Sequence, residues 1–371
     1  MVNYNELVEL TLQLCKIPAP SNHEEKRAEF CKNYFDQIGV KGAYIDEALN
    51  VVAPIDCDIH NDIVVIMAHT DTVFPDMNPF EPRIEENLLY CPAVGDDTVH
   101  LACLMLMVKD IIKTQRKPNC GLLFVANSGE EGLGNLKGVR KIMADYGERT
   151  KEFITLDGNI SRLVNRAVGS HRYRISVTAQ GGHSFNAFGN SNALHAVSQL
   201  TTELYNVKVP DKAGTRTSYN VGMISGGTSV NTIAQSAEML YEYRSDDREC
   251  LDFMKNSFEA ALKKIGDLRA ADDVKFNVEL IGERPCGGNI DLVAQKELTN
   301  RTVSAYKKHY NRELRHDSGS TDCNIPLSMG IPSVCIGIAD IHGTHTREEY
   351  MDLTSLEAGV RSAEELIGYY F

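Results

Sequence analysis

Apolar positions recur along this chain with two different periods. Residues 5–15 place Leu7, Leu10 and Leu14 at helical spacing. "SNHEE" then reads as a helix start, with Ser21 capping and Glu24 reaching back, ahead of a face made by Cys31, Tyr34, Phe35 and Ile38. Continuous apolar runs at 50–54, 62–68, 121–127 and 153–157 predict buried strands, with a buried helix over 99–113 and another helix before the last of them. Strands alternating with helices in this way predict a mostly parallel sheet covered on both faces.

The pattern changes near residue 168. "HRYRISVTAQ", "TSYNVGMIS" and "AEMLYEYRS" alternate apolar and polar residues, as antiparallel strands with one solvated face do. Helices are expected near 191–205 and 248–265, and a last strand near 274–281. The order strand–helix–strand–strand–helix–strand predicts a small α+β ferredoxin-like domain inserted in a larger α/β one. The division is therefore 1–167, 168–281 and 282–371, the outer two segments forming one domain. After "ERPCGG" a helix, the strand "PSVCIGI" and a final helix resume, and Thr354 with Glu357 offers that last helix a capping box.

Composition narrows the function classes. The 38 basic and 51 acidic residues leave a net charge of −13, which argues against a nucleic-acid or anionic-membrane surface. The longest apolar run, "LACLMLMV", is far short of the ~20 residues a membrane span needs. "MVNYNELVEL" carries acids and no apolar core of signal-peptide length. The ten cysteines are scattered without a CxxC pair, in a chain large enough to need no covalent staples, so they read as reduced thiols. A soluble, cytoplasmic protein without nucleic-acid or membrane partners is the expectation.

In open α/β sheets ligands gather at the carboxyl ends of the strands. Here "NDIVVIMA" runs into His69-Thr70-Asp71, "GLLFVANS" into Glu130-Glu131, and "EFITL" into Asp157. The loop "AVGDD" sets Asp96 and Asp97 before the buried helix, and "HGTHTREEY" supplies His342 and His345. Each group alone has a bland reading: a surface His, a solvated Glu pair, an Asp pair favoured by a helix dipole. Five of them at one edge of one sheet suit a pair of divalent ions sharing a carboxylate. "GLGNLKG" weakly matches a dinucleotide-binding turn, but Glu130 and Glu131 would face the pyrophosphate and repel it.

"MAHTDTV", "GDD", "NSGEEGLGN", "TLDG" and "HTREEY", in this order, resemble the di-zinc amidohydrolases of metallopeptidase family twenty. That family includes tripeptidase T, glutamate carboxypeptidase, acetylornithine deacetylase and aminoacylase, and "SGEEGLGN" with "RPCGG" leans toward the tripeptidase T branch. The resemblance spans essentially the whole chain. It implies His69, Asp96 and Asp157 on one zinc and Asp96, Glu131 and His345 on the other, with cobalt or manganese as acceptable substitutes. Asp71 would orient His69, and Glu130 would be the general base. The Asp96–Asp97 peptide would be cis.

The inserted domain would be a lid and a homodimer contact. Its His183 would stabilise the oxyanion of a partner subunit's site, while Asn231 and Arg244 would hold a substrate carbonyl or carboxylate. Gly319 and Ser320, in "DSGSTDCNIP", are further substrate-side candidates. One departure stands out: the family continues its bridging Asp as Asp-(any)-Lys-Gly, and this chain has Thr98 and Val99 there. The expected activity is a small-peptide aminopeptidase. The alternatives are an N-acyl-amino-acid deacylase, carboxypeptidase or dipeptidase on the same site, and a non-catalytic binding protein on this fold.

Overall fold

The computed structural model describes residues 1–371, the side chain of Leu133 excepted. Met1–Ala167 together with Gly288–Phe371 forms one compact unit, and Val168–Gly287 forms another. The second unit continues past residue 281 because its last strand, Lys275–Arg284, stays paired as far as Arg284 opposite Ser170.

The first unit is built on an eight-stranded sheet. From one edge to the other its strands are Tyr44–Ile45, Val51–Ile55, Gly121–Asn127, Ile63–His69, Thr150–Leu156, Ser333–Ile336, Arg162–Ala167 and Arg315–Gly319. Ile63–His69 runs parallel to both of its neighbours, and Ser333–Ile336 runs parallel to Thr150–Leu156. Val51–Ile55 is antiparallel beside them, so the sheet is mixed but mostly parallel. Alternate residues of one strand serve opposite cores. Val64, Ile66 and Ala68 pack with the helices Tyr4–Cys15, Glu25–Gln37, Val99–Thr114 and Leu356–Gly368. Ile63, Val65 and Met67 face Val139, Ile142 and Met143 of the helix Lys137–Tyr146. Burial on both faces is why these strands read as unbroken apolar runs rather than alternating ones.

Two expected helix caps are absent. The second helix begins at Glu25 with no side-chain cap, and the Ser21 hydroxyl donates instead to Asp71 Oδ2 at 2.6 Å. The final helix begins at Leu356, also without a side-chain cap. Asp352, not Thr354, supplies the capping acceptor, to the short turn before that helix. Sequence spacing locates a capping pattern but cannot show whether a distant carboxylate competes for the hydroxyl.

The second unit is a four-stranded antiparallel sheet in the order Thr217–Gly226, Ser236–Ser245, Gly169–Thr178, Lys275–Arg284. One face carries the helices Ala193–Tyr205 and Arg248–Arg269, with Ile175, Val177, Met239 and Tyr241 packed on Ala196, Leu200, Met254 and Phe258. The alternating burial of Ser236–Ser245 matches the half-solvated pattern of its sequence.

Candidate metal centre

The centre forms where the parallel strands stop. His69 and Asn127 are register partners at the ends of adjacent strands, and Thr70 N–H donates to Asn127 O at 2.7 Å. Arg27, fully buried, fixes the same turn by donating to Thr70 O at 2.8 Å and to Leu14 and Ile17 carbonyls. His69 Nδ1 lies 2.9 Å from the Asp71 carbonyl oxygen, which can only accept, so Nδ1 carries a proton. That leaves Nε2 as the nitrogen that faces Asp96 Oδ1, at 3.0 Å.

Asp96 sits between two imidazoles. Its Oδ1 faces His69 Nε2, and its Oδ2 lies 3.1 Å from His345 Nε2. His345 Nε2 is also 3.1 Å from Glu131 Oε1. Compact ligand groups are formed by Asp96, Glu131 and His345, by His69, Asp97 and Asp157, and by His69, Glu130 and Glu131. The Asp96–Asp97 peptide is cis.

Asp71 organises the glutamate pair. Its Oδ1 accepts the main-chain N–H of Glu130 at 2.9 Å, and its Oδ2 accepts that of Glu131 at 3.0 Å. The contact of its carboxylate with His69 Nδ1 is longer, 3.4 Å, so the ring is oriented chiefly by the Asp71 carbonyl. Both glutamates are buried.

The electrostatics describe a site short of positive charge. Burial, with Asp97 and Asp96 nearby, pushes Asp157 up to about 8. Burial and Asp96 raise Glu131. His345, hydrogen-bonded by Asp96 and Glu131, is pushed up to about 10. Burial opposes charge on His69, yet Asp97, Asp71 and Asp96 together lift it well above the ordinary range. Among the described residues the ion-pair partners of Asp96 and Glu131 are imidazoles alone. Two imidazoles facing the carboxylates of Asp96 and Glu131, in a group of buried acids, fit divalent cations.

Over residues 65–368 the chain matches the family model described as peptidase family M20/M25/M40. The chain belongs to this family. It is thus a hydrolase of the metallopeptidase class. Among its curated relatives, an uncharacterized protein YqjE of Bacillus subtilis is 23% identical, covering 99% of this chain and 98% of that one. A succinyl-diaminopimelate desuccinylase of Corynebacterium glutamicum is 24% identical, covering 92% and 90%. A tripeptidase structure from Staphylococcus aureus superposes with a TM-score of 0.76 at 22% identity, covering 100% and 99%. A Bacillus subtilis structure described as a dinuclear metal-binding peptidase of family M20 does so with 0.68 at 15%, covering 98% and 97%. At these identities the structures establish a shared fold.

Other expected M20 site residues belong to other elements. His183 is exposed on the strand pair Gly182–His183 with Thr232–Ile233 in the second unit. Asn231 is exposed beside that pair and takes a 2.8 Å bond from Ser229 Oγ. Arg244 is half-buried with both prongs of its fork on Glu242, at 3.0 Å each. Gly319 closes the edge strand Arg315–Gly319 of the first unit, and Ser320 follows it. His342 stands apart from the ligand groups, stacked on Tyr350.

Sequence reasoning missed several supports. Glu349 accepts the N–H groups of Gly95 and Asp96 through Oε1, at 2.8 and 3.0 Å, and that of Ala93 through Oε2 at 3.2 Å. Glu348-Glu349 is one of five adjacent glutamate pairs in the chain, its first member exposed and its second fully buried, so doubling alone did not mark it. Asn127 Nδ2 donates to the buried Asp322 at 2.7 Å, tying the strand end to the segment after Ser320.

Proposed function

We propose that the chain is a two-metal aminopeptidase of short peptides, with zinc as the working ion. The carrying observation is Asp96, whose two oxygens each meet a different imidazole. On this reading His69, Asp96 and Asp157 hold one ion, Asp96, Glu131 and His345 hold the other, and Asp96 bridges. When bound, such a pair polarises the scissile carbonyl and makes water more acidic. Glu130, its backbone anchored on Asp71, takes a proton from the attacking water and passes it to the leaving amine. His183 donates to the oxyanion, acting from a second copy of the chain in a homodimer formed through the second unit. Asn231 and Arg244 bind the substrate carbonyl or carboxylate, with Gly319 and Ser320 beside it. Arg244 must exchange Glu242 for substrate to do so. The short-peptide preference is supported by the tripeptidase likeness and the "SGEEGLGN" and "RPCGG" motifs.

A second reading, hydrolysis of N-acyl amino acids, is favoured by the desuccinylase relative. It uses the same centre and differs in the pocket. Metal analysis with a screen of tripeptides, dipeptides, N-acetyl and N-succinyl amino acids separates the two. Release of the amino-terminal residue from tripeptides is expected. Turnover of acylated substrates alone establishes the second reading, and turnover of neither by the fully metallated protein overturns both.

A further inference from the structure

Two acidic neighbours compete for the ion beside His69. Asp96 faces the His69 ring, but Asp97 also offers a ligand atom in one compact group with His69 and Asp157. What separates them is what else each carboxylate touches. The Asp96 oxygens face imidazole nitrogens at the two halves of the centre. The Asp97 oxygens face the protein: Oδ2 accepts the main-chain N–H of His69 at 2.8 Å, and Oδ1 lies 2.7 Å from His100 Nδ1.

His100, in the first turn of the helix Val99–Thr114, is fully buried. Its Nε2 accepts the main-chain N–H of Ile338 at 3.1 Å. An accepting nitrogen carries no proton, so the ring is neutral and its proton is on Nδ1. Nδ1 and Asp97 Oδ1 stand 2.7 Å apart without a hydrogen-bonding angle, and neither buried atom has a hydrogen-bond partner among the described residues. The anchor is rigid. A Cβ on Gly359 would come within 1.9 Å of Ile338 O, so the final helix lies directly on that backbone. The same strand end receives Asp157 N–H on Ile336 O at 2.8 Å.

Resting on the two-metal reading, we infer that His100 is a positioning residue: it commits Asp97 to bracing the cis loop and leaves Asp96 as the bridging ligand. One imidazole thereby connects the Asp96–Asp97 peptide to the strand that also positions Asp157. Without Nδ1, the buried Asp97 Oδ1 loses the polar atom 2.7 Å beside it and turns toward His69 and Asp157 as a competing ligand.

The test uses the full chain, stripped with a chelator and titrated with Co(II), recording stoichiometry, affinity against a competing chelator, and the visible absorption that reports coordination number. His100→Phe keeps the volume and removes both nitrogens. His100→Asn offers an amide N–H near the Nδ1 position, and His100→Gln offers polar atoms near Nε2 instead. His100→Phe and His100→Gln are expected to bind Co(II) about 10–100-fold more weakly, the scale for losing an outer support of a ligand. Their visible spectra are expected to change as well, while His100→Asn stays near wild type in both measures. Wild-type affinity and spectrum in folded His100→Phe would overturn the inference, even with a lowered Tm, since a merely structural role predicts that result. Should His100→Phe not fold, the Asn–Gln contrast decides: equal behaviour overturns it. A wild type that binds fewer than two ions would instead overturn the two-metal reading.

Discussion

Glu349 Oε1 accepts the main-chain N–H of Asp96 at 3.0 Å across 253 residues of sequence. The contact exists because Tyr350 and Tyr90 are register partners in a small sheet, which sets Glu349 beside Cys91, where the loop carrying Asp96 begins. Three N–H groups depend on this carboxylate, those of Ala93 and Gly95 buried and that of Asp96 partly so.

Glu349→Ala should therefore lower both stability and metal content, since each buried donor left without a partner costs about 1–3 kcal/mol. Glu349→Gln keeps one acceptor oxygen and should fall between that variant and wild type. Thermal melts with metal analysis check this. A Glu349→Ala protein with full metal occupancy would show that the loop holds itself.

The two neighbouring glutamates should fail differently. Glu130→Ala is expected to keep its metals while kcat drops by ~10²–10⁴, the scale of a general base. Glu131→Ala is expected to lose metal, because its carboxylate stands with Asp96 and His345. Metal analysis and steady-state kinetics on both proteins check the division. Matching behaviour would refute it.

Metal removal should reveal a pH dependence of known sign. In the metal-free protein His345 is pushed up to about 10 by its bonds to Asp96 and Glu131, so its stabilising contribution is complete below its ordinary 6.5 and is lost as pH rises through about 10. Asp157 and Glu349, both pushed up to about 8 chiefly by burial, oppose folding once they ionise, between about 4 and 8. All three act in the same direction. The Tm of chelated protein should fall from about pH 5.5 to 8.5, and the Tm gain on adding zinc should grow over that window. A flat or rising Tm for the chelated protein would contradict this assignment.

His183 gives a test of subunit complementation. The second unit's sheet has edge strands at Thr217–Gly226 and Lys275–Arg284, available for pairing with another copy. If His183 serves the partner's site, His183→Ala and Glu130→Ala chains should each be nearly inactive. After subunit exchange, about half the dimers are mixed and each has one intact site, so activity should recover to about a quarter of wild type. Mixed dimers that stay inactive would place His183 in its own chain's site or outside catalysis.

Much of this was legible without coordinates. Apolar period separated the parallel strands from the alternating ones, because two-sided burial and one-sided burial leave different patterns in the residues themselves. Strand ends then pointed to His69, Glu130, Glu131 and Asp157 as candidates, since a parallel sheet delivers all its carboxyl ends to one edge, and the structure sets all four in compact groups of possible ligands. The capping reading of Ser21 failed for the converse reason: its hydroxyl bonds to Asp71, fifty residues away, whereas that of Thr354 failed locally, its hydroxyl donating to Asp352 in the same turn. Only the tertiary structure decided what Asp97, His100, Asp322 and Glu349 touch. Each is buried against backbone or side chains remote in sequence, where one carboxylate or ring can hold several N–H groups. Local sequence records which groups a segment offers; the partners they find depend on how distant segments are brought together in three dimensions.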